Sequence, residues 1–258
     1  MMSPVHTAVA TFALLTAAGL AQAQMVQLRV TVQNLSPANS LTFAPLRVGF
    51  HNGTFDAFNN GQTATAPIIS IAEGGSGSDW FPAFAAAEPD ATLGTVVSMP
   101  AGPLLPGATA SAMFTVDPSV NRFFTFASMV VPSNDHFIGN DNPMQYMLFD
   151  AMGNLNISSI SQFGRDIWDA GSELEDPANA AFLTVGTNSL RTPQNGVVNF
   201  NFDRLDTFNG LTTAAGYVFN RQIVASDEVY RISFQVIPTP GAAAVLGLGG
   251  LMAMRRRR

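Results

Sequence analysis

The chain has 258 residues, enough for a full hydrophobic core, and contains no cysteine, which excludes disulfides, thiolate metal sites and a cysteine nucleophile. All twelve basic residues are arginine, and four of them occupy the last four positions. Without the two ends, eight arginines face eighteen acids, a net charge of −10 that repels nucleic acid and favours a divalent cation.

In chain order, Ala8 to Leu20 form an apolar run followed by Ala21-Gln22-Ala23, a small-x-small pattern. This predicts a signal peptide over 1–23, cut by signal peptidase before Gln24. Val26, Leu28, Val30 and Val32 then alternate with Gln27, Arg29, Thr31 and Gln33, the period-two pattern of a half-buried strand. Leu46 to Phe50, Ile68 to Ala72, Phe123 to Val131 and Val197 to Phe202 are further β-rich runs. Ser78 to Glu88 reads as a short helix, with Ser78 or Asp79 as cap and Pro82 in the first turn.

Gln145 to Phe149 and Leu155 to Ile160 flank Asp150-Ala151-Met152-Gly153-Asn154, which suggests a hairpin. Glu228 to Ile237 alternates again, so the first and last strands are expected to tie both ends of the body into one sheet. Turn signals between these runs favour one all-β domain over 24–237, a two-sheet antiparallel β-sandwich with minor short helices.

Eight of the eighteen acids fall between Asp135 and Asp176, with Arg165 the one base in that interval. Such a cluster resists ionisation unless it is solvated or neutralised, and calcium, which takes six to eight oxygen ligands, is the natural counter-ion. Ser128-Met129-Val130-Val131-Pro132-Ser133-Asn134-Asp135-His136-Phe137-Ile138-Gly139 runs from a strand into a loop. Asp169-Ala170-Gly171-Ser172-Glu173 sets two carboxylates four apart around a glycine. Asp141, Asp150, Asp166, Glu175 and Asp176 read as turn and surface residues, and His136 as a loop residue.

Those two segments, in this order, resemble the spondin domain. His51-Asn52-Gly53, Ile71-Ala72-Glu73-Gly74 and Leu105-Pro106-Gly107 extend the likeness more loosely. The resemblance implies a C2-like sandwich holding one calcium, with Asp135, Asp169 and Glu173 as carboxylate ligands. Ser172 stands where threonine is commoner, and the disulfides of animal members are absent.

Beyond the body, Ile237-Pro238-Thr239-Pro240-Gly241 precedes an apolar run, Ala242 to Met254, and then Arg255 to Arg258. The segment 238–258 resembles a PEP-CTERM sorting tail of Gram-negative bacteria, with Thr239 where that motif has glutamate. The resemblance implies a transient membrane anchor processed by an exosortase-like enzyme, and the basic cluster suits a cytoplasmic end.

Enzymatic signatures are missing. The three histidines show no H-E-x-x-H spacing, no G-x-S-x-G elbow occurs, and the Gly-rich Glu73 to Ser78 lacks the lysine of a phosphate loop. The expectation is a non-enzymatic, calcium-binding module exported to the cell surface or extracellular matrix, its partner a polysaccharide or surface protein. The alternative is a carbohydrate-active protein, a lectin or weak glycoside hydrolase, acting on matrix polysaccharide.

Overall fold

The computed structural model describes residues 25–238, so the signal-peptide and sorting-tail expectations lie outside the described residues. Eleven strands follow in chain order: β1 Val26–Asn34, β2 Thr42–Phe43, β3 Leu46–His51, β4 Thr92–Val96, β5 Thr109–Val116, β6 Phe123–Val131, β7 His136–Gly139, β8 Ser159–Phe163, β9 Trp168–Asp169, β10 Asn199–Phe200 and β11 Glu228–Ile237. Two helices, α1 Ala66–Gly74 and α2 Trp80–Ala87, lie between β3 and β4. No helix among the described residues is long and apolar enough to cross a membrane.

All ladders are antiparallel and form two sheets, one ordered β5-β1-β11-β8 and the other β10-β9-β7-β6-β3-β4, with β2 also on β6. The fold is therefore an all-β sandwich with short helices. The terminal strands pair as their alternation predicts, Val30 opposite Phe234 and Val32 opposite Ile232. Leu28, Val30 and Val32 point inward and meet Val48, Phe50, Phe124 and Phe126 of the facing sheet in one apolar core. Period-two burial sets this arrangement, because a slip of one residue would turn the whole apolar set towards solvent.

Strand β6 is buried along almost its full length because it is covered on both faces. On the face away from the core, α1 and α2 pack over it in a second apolar layer built from Ile68, Ile71, Trp80 and Phe84 with Ala127, Phe137 and Trp168. Gly49 on β3 permits this approach: a Cβ there would lie 2.4 Å from the Phe84 ring.

Ile68 to Ala72 is helix rather than strand. Thr65 caps it by accepting the Ile68 amide, Pro67 sits in the first turn, and Gly75 closes it at φ 58°. These boundary residues outweigh the β preference of two isoleucines, and Ile68, Ile71 and Ala72 share the buried face. The expected strand over Val197 to Phe202 shrinks to β10, because the chain turns into a 3-10 helix, Phe202–Phe208. The hairpin expected around Gly153 is reduced to a single bridge between Phe149 and Leu155, with Asp150 accepting the amides of Met152 and Asn154.

One polar node braces the second sheet. Glu88, after α2, accepts the amides of Asn52 at 2.7 Å, Thr54 at 2.5 Å and Phe55 at 2.7 Å, and lies 3.1 Å from His51 Nδ1. Burial works to raise the Glu88 pKa, but the amides of Asn52 and Phe55 and the His51 ring outweigh it and hold the carboxylate below its ordinary value.

Candidate metal centre

The chain leaves β6 at Val131, turns through Pro132 to Asp135, and re-enters the sheet as β7. Ser133 shapes the turn by accepting the His136 amide at 3.2 Å. Asn134 then ties it to the acidic loop. Its Nδ2 donates to Glu173 Oε1 at 3.0 Å and its Oδ1 accepts the Asp176 amide at 3.0 Å.

Pairing of β7 with β9 sets His136 opposite Asp169, and the Ala170 amide donates to the Asp135 carbonyl at 3.2 Å. After β9, Gly171 reverses the chain at φ 65°, with the Val197 backbone so near that a Cβ would meet it at 2.6 Å. That turn aims the amides of Ser172 and Glu173 at Asp135 Oδ2, at 2.8 and 2.9 Å. Hydrogen bonds thus tie the Asp135 turn to the segment that carries Asp169 and Glu173, the other two carboxylates that the sequence singles out.

Their oxygens are not equally free. Asp169 Oδ1 accepts the Gly171 amide at 2.7 Å, and its Oδ2 accepts Asn201 Nδ2 at 3.1 Å. Glu173 Oε2 lies 3.4 Å from Arg191 Nε, while Glu175 Oε2 is 2.8 Å from Arg204 Nη1. Asp135 Oδ1, His136 Nδ1 and Glu175 Oε1 are buried without a hydrogen-bond partner among the described residues. One ligand atom each from Asp135, His136 and Glu175 fall within 4.8 Å of one another.

His136 Nε2 stands 3.2 Å from the Asn201 carbonyl, which can only accept. In the neutral ring the proton therefore belongs on Nε2, leaving a lone pair on Nδ1, 4.0 Å from Asp135 Oδ1. Two buried acceptors facing each other are unfavourable unless a proton or a cation lies between them. The donor set thus fits a divalent cation, and ligands on one calcium, at about 2.3–2.6 Å each, stand no more than about 5 Å apart.

Without a cation, Asp135 and Glu173 keep their protons to higher pH than ordinary carboxyls do. Burial, with Asp169 nearby, pushes Asp135 up to about 6 against the lowering pull of His136 and of the Ser172 and Glu173 amides. Burial likewise pushes Glu173 up to about 7, helped by Glu73 and Asp135 and opposed by Asn134 and Arg191.

Two readings of the sequence change here. His136 is a fully buried strand residue rather than a loop residue, and Glu175 belongs to the cluster rather than to the surface. The acidic interval is also less bare than its own sequence suggests, since Arg191 and Arg204 fold back onto it from outside. A histidine next to Asp135 and a third acid two residues after Glu173 were the available signals.

Residues 32–147 match the Spondin_N family model. The match supports a spondin-domain protein. It takes in the Asp135 turn and ends before the loop carrying Asp169, Glu173 and Glu175. A search of curated proteins finds no match.

Proposed function

We propose that this chain is an exported, non-enzymatic binding module whose acidic loop is ordered by a divalent cation, calcium first among the candidates. The observation that carries the reading is the pair of buried, unpartnered acceptors, Asp135 Oδ1 and His136 Nδ1, beside Glu175. Asp135 and Glu175 supply hard oxygen and His136 a nitrogen, while Asp169 and Glu173 stand next to them as further carboxylate ligands. Bound, the cation would replace protons on Asp135 and Glu173 and fasten the loop after β9 to the turn before β7.

In this reading the segment 1–23 directs export and 238–258 is a sorting tail that gives transient membrane attachment before processing. The site of action is the cell surface or extracellular matrix, and the partner is a polysaccharide or surface protein there. Retention of the purified protein on its own cell's matrix, with calcium and with chelator, tests this. Calcium-dependent, saturable retention is expected. Retention indifferent to chelator, together with no metal in the purified protein by elemental analysis, would contradict it.

A further inference from the structure

Trp168 and Asp169 are consecutive on β9, and their side chains serve different sites. Asp169 joins the acidic cluster, whereas Trp168 forms the floor of a cleft of about 330 Å³. That volume lies at the lower end of small-molecule sites, roughly 300–1,000 Å³. Phe200, paired with Trp168 in the ladder, stacks on the indole with centroids 3.6 Å apart and planes 25° from parallel. Trp168 is 5% exposed and Phe200 49%, so the phenyl ring presents an open face.

The rest of the lining is amide, hydroxyl and carboxylate. Tyr146 stands beside the Gln162 amide, its hydroxyl accepting from Gln145 Nε2 at 3.1 Å. Gln162 is almost fully buried, and its Oε1 has no hydrogen-bond partner among the described residues. Asp141 and Asp166 add acceptors, and among the described residues no basic side chain lines the cleft.

We propose that this cleft binds a neutral saccharide unit. The stacked Phe200–Trp168 pair offers an apolar plate for the C–H face of a sugar ring, and Gln162 offers an unpaired buried acceptor for a hydroxyl. Sugar hydroxyls both donate and accept, so a wall of amides and carboxylates satisfies them without a formal charge on the ligand. Phosphate, sulfate or uronate groups would meet Asp141 and Asp166 with no base to offset the repulsion. The inference rests on the binding-module reading and names its ligand class. Asn201, next to Phe200, links the two sites: its Nδ2 donates to Asp169 and its carbonyl receives His136.

Titration of the full chain with neutral gluco-, galacto- and manno-hexasaccharides, and with an acidic uronate hexamer, tests it by tryptophan fluorescence and by calorimetry. Saturable binding of at least one neutral oligosaccharide is expected, with none of the uronate. Phe200→Ala should weaken it at least tenfold while leaving the melting midpoint nearly unchanged, because the ring is half exposed. Gln162→Leu should weaken it as well. No binding across the neutral panel, stronger binding of the uronate, or binding unaltered by Phe200→Ala would overturn the proposal. Running each titration with calcium and with chelator separates the two readings. A calcium-dependent melt with no sugar bound sinks only the cleft, and sugar bound with a chelator-insensitive melt sinks only the cation.

Discussion

Asp135 Oδ2 accepts the backbone amide of Glu173 at 2.9 Å, from 38 positions further along the chain. The same oxygen accepts the Ser172 amide, so this one carboxylate holds the acidic loop against the β6–β7 turn, while its other oxygen faces His136 unpaired. In the proposed reading, structural and cation-binding duties are divided between the two oxygens of one side chain, and substitutions can separate them.

Asp135→Ala removes both duties and strands two amides, so it should destabilise the protein by about 2–3 kcal/mol even in chelator. His136→Gln and Glu175→Gln leave both amide bonds to Asp135 in place and, besides the cation side, touch only the His136–Asn201 contact and the Glu175–Arg204 pair. Denaturant melts in chelator should find these two within about 1 kcal/mol of the parent, with the calcium response lost in both.

The pH dependence follows from the raised carboxyls. Asp135 and Glu173 move from ordinary values of 3.8 and 4.5 to about 6 and about 7 in the cation-free fold. Their contribution to stability is therefore full below the unfolded values and lost as pH rises through 6 to 7. A cation replaces those protons, so the calcium-induced rise in melting midpoint should be larger at pH 8 than at pH 5. Asp169, Arg191 and Glu73, the charges facing the two carboxyls besides His136, are present in both arms of that comparison. A rise at pH 5 equal to that at pH 8 would count against shared occupancy of the site.

Gly171→Ala places a Cβ at φ 65° and 2.6 Å from the Val197 backbone. Neither a rotamer change nor a flexible tip can relieve this, so the expected loss is at least about 2 kcal/mol. Because the same turn aims the Ser172 and Glu173 amides, the variant should also respond less to calcium in thermal melts.

Glu88→Gln tests the buried acid that braces the second sheet. Three short amide bonds converge on its carboxylate, and an amide in its place turns a donor towards some of those N–H groups. A loss of about 2–3 kcal/mol is expected by chemical denaturation. No change in calcium response should accompany it.

The sandwich was legible because β1 alternates strictly and β11 does so from Tyr230 to Phe234, and their inward residues are in the core. The helical layer was less so, since Ile68 and Ile71 favour strands in isolation and only Thr65, Pro67 and Gly75 mark the helix. At the candidate site, the local motifs pointed to Asp135, Asp169 and Glu173. His136 and Glu175 were hidden, because which face of β7 turns to the cluster, and which loop acid turns inward, depends on pairing between distant segments. Arg191 and Arg204 were hidden for the same reason, lying outside the acidic interval.

The central claim, a cation held at Asp135, His136 and Glu175, is tested most directly by thermal melting in about 10 mM calcium and in chelator. For a Kd of roughly 10⁻³ M, as extracellular calcium modules show, the bound ion adds about 1.4 kcal/mol, or about 3–6 °C in a domain of this size. The account predicts that rise for the parent protein and its loss in His136→Gln. An identical midpoint in both solutions, or an undiminished rise in His136→Gln, would contradict it.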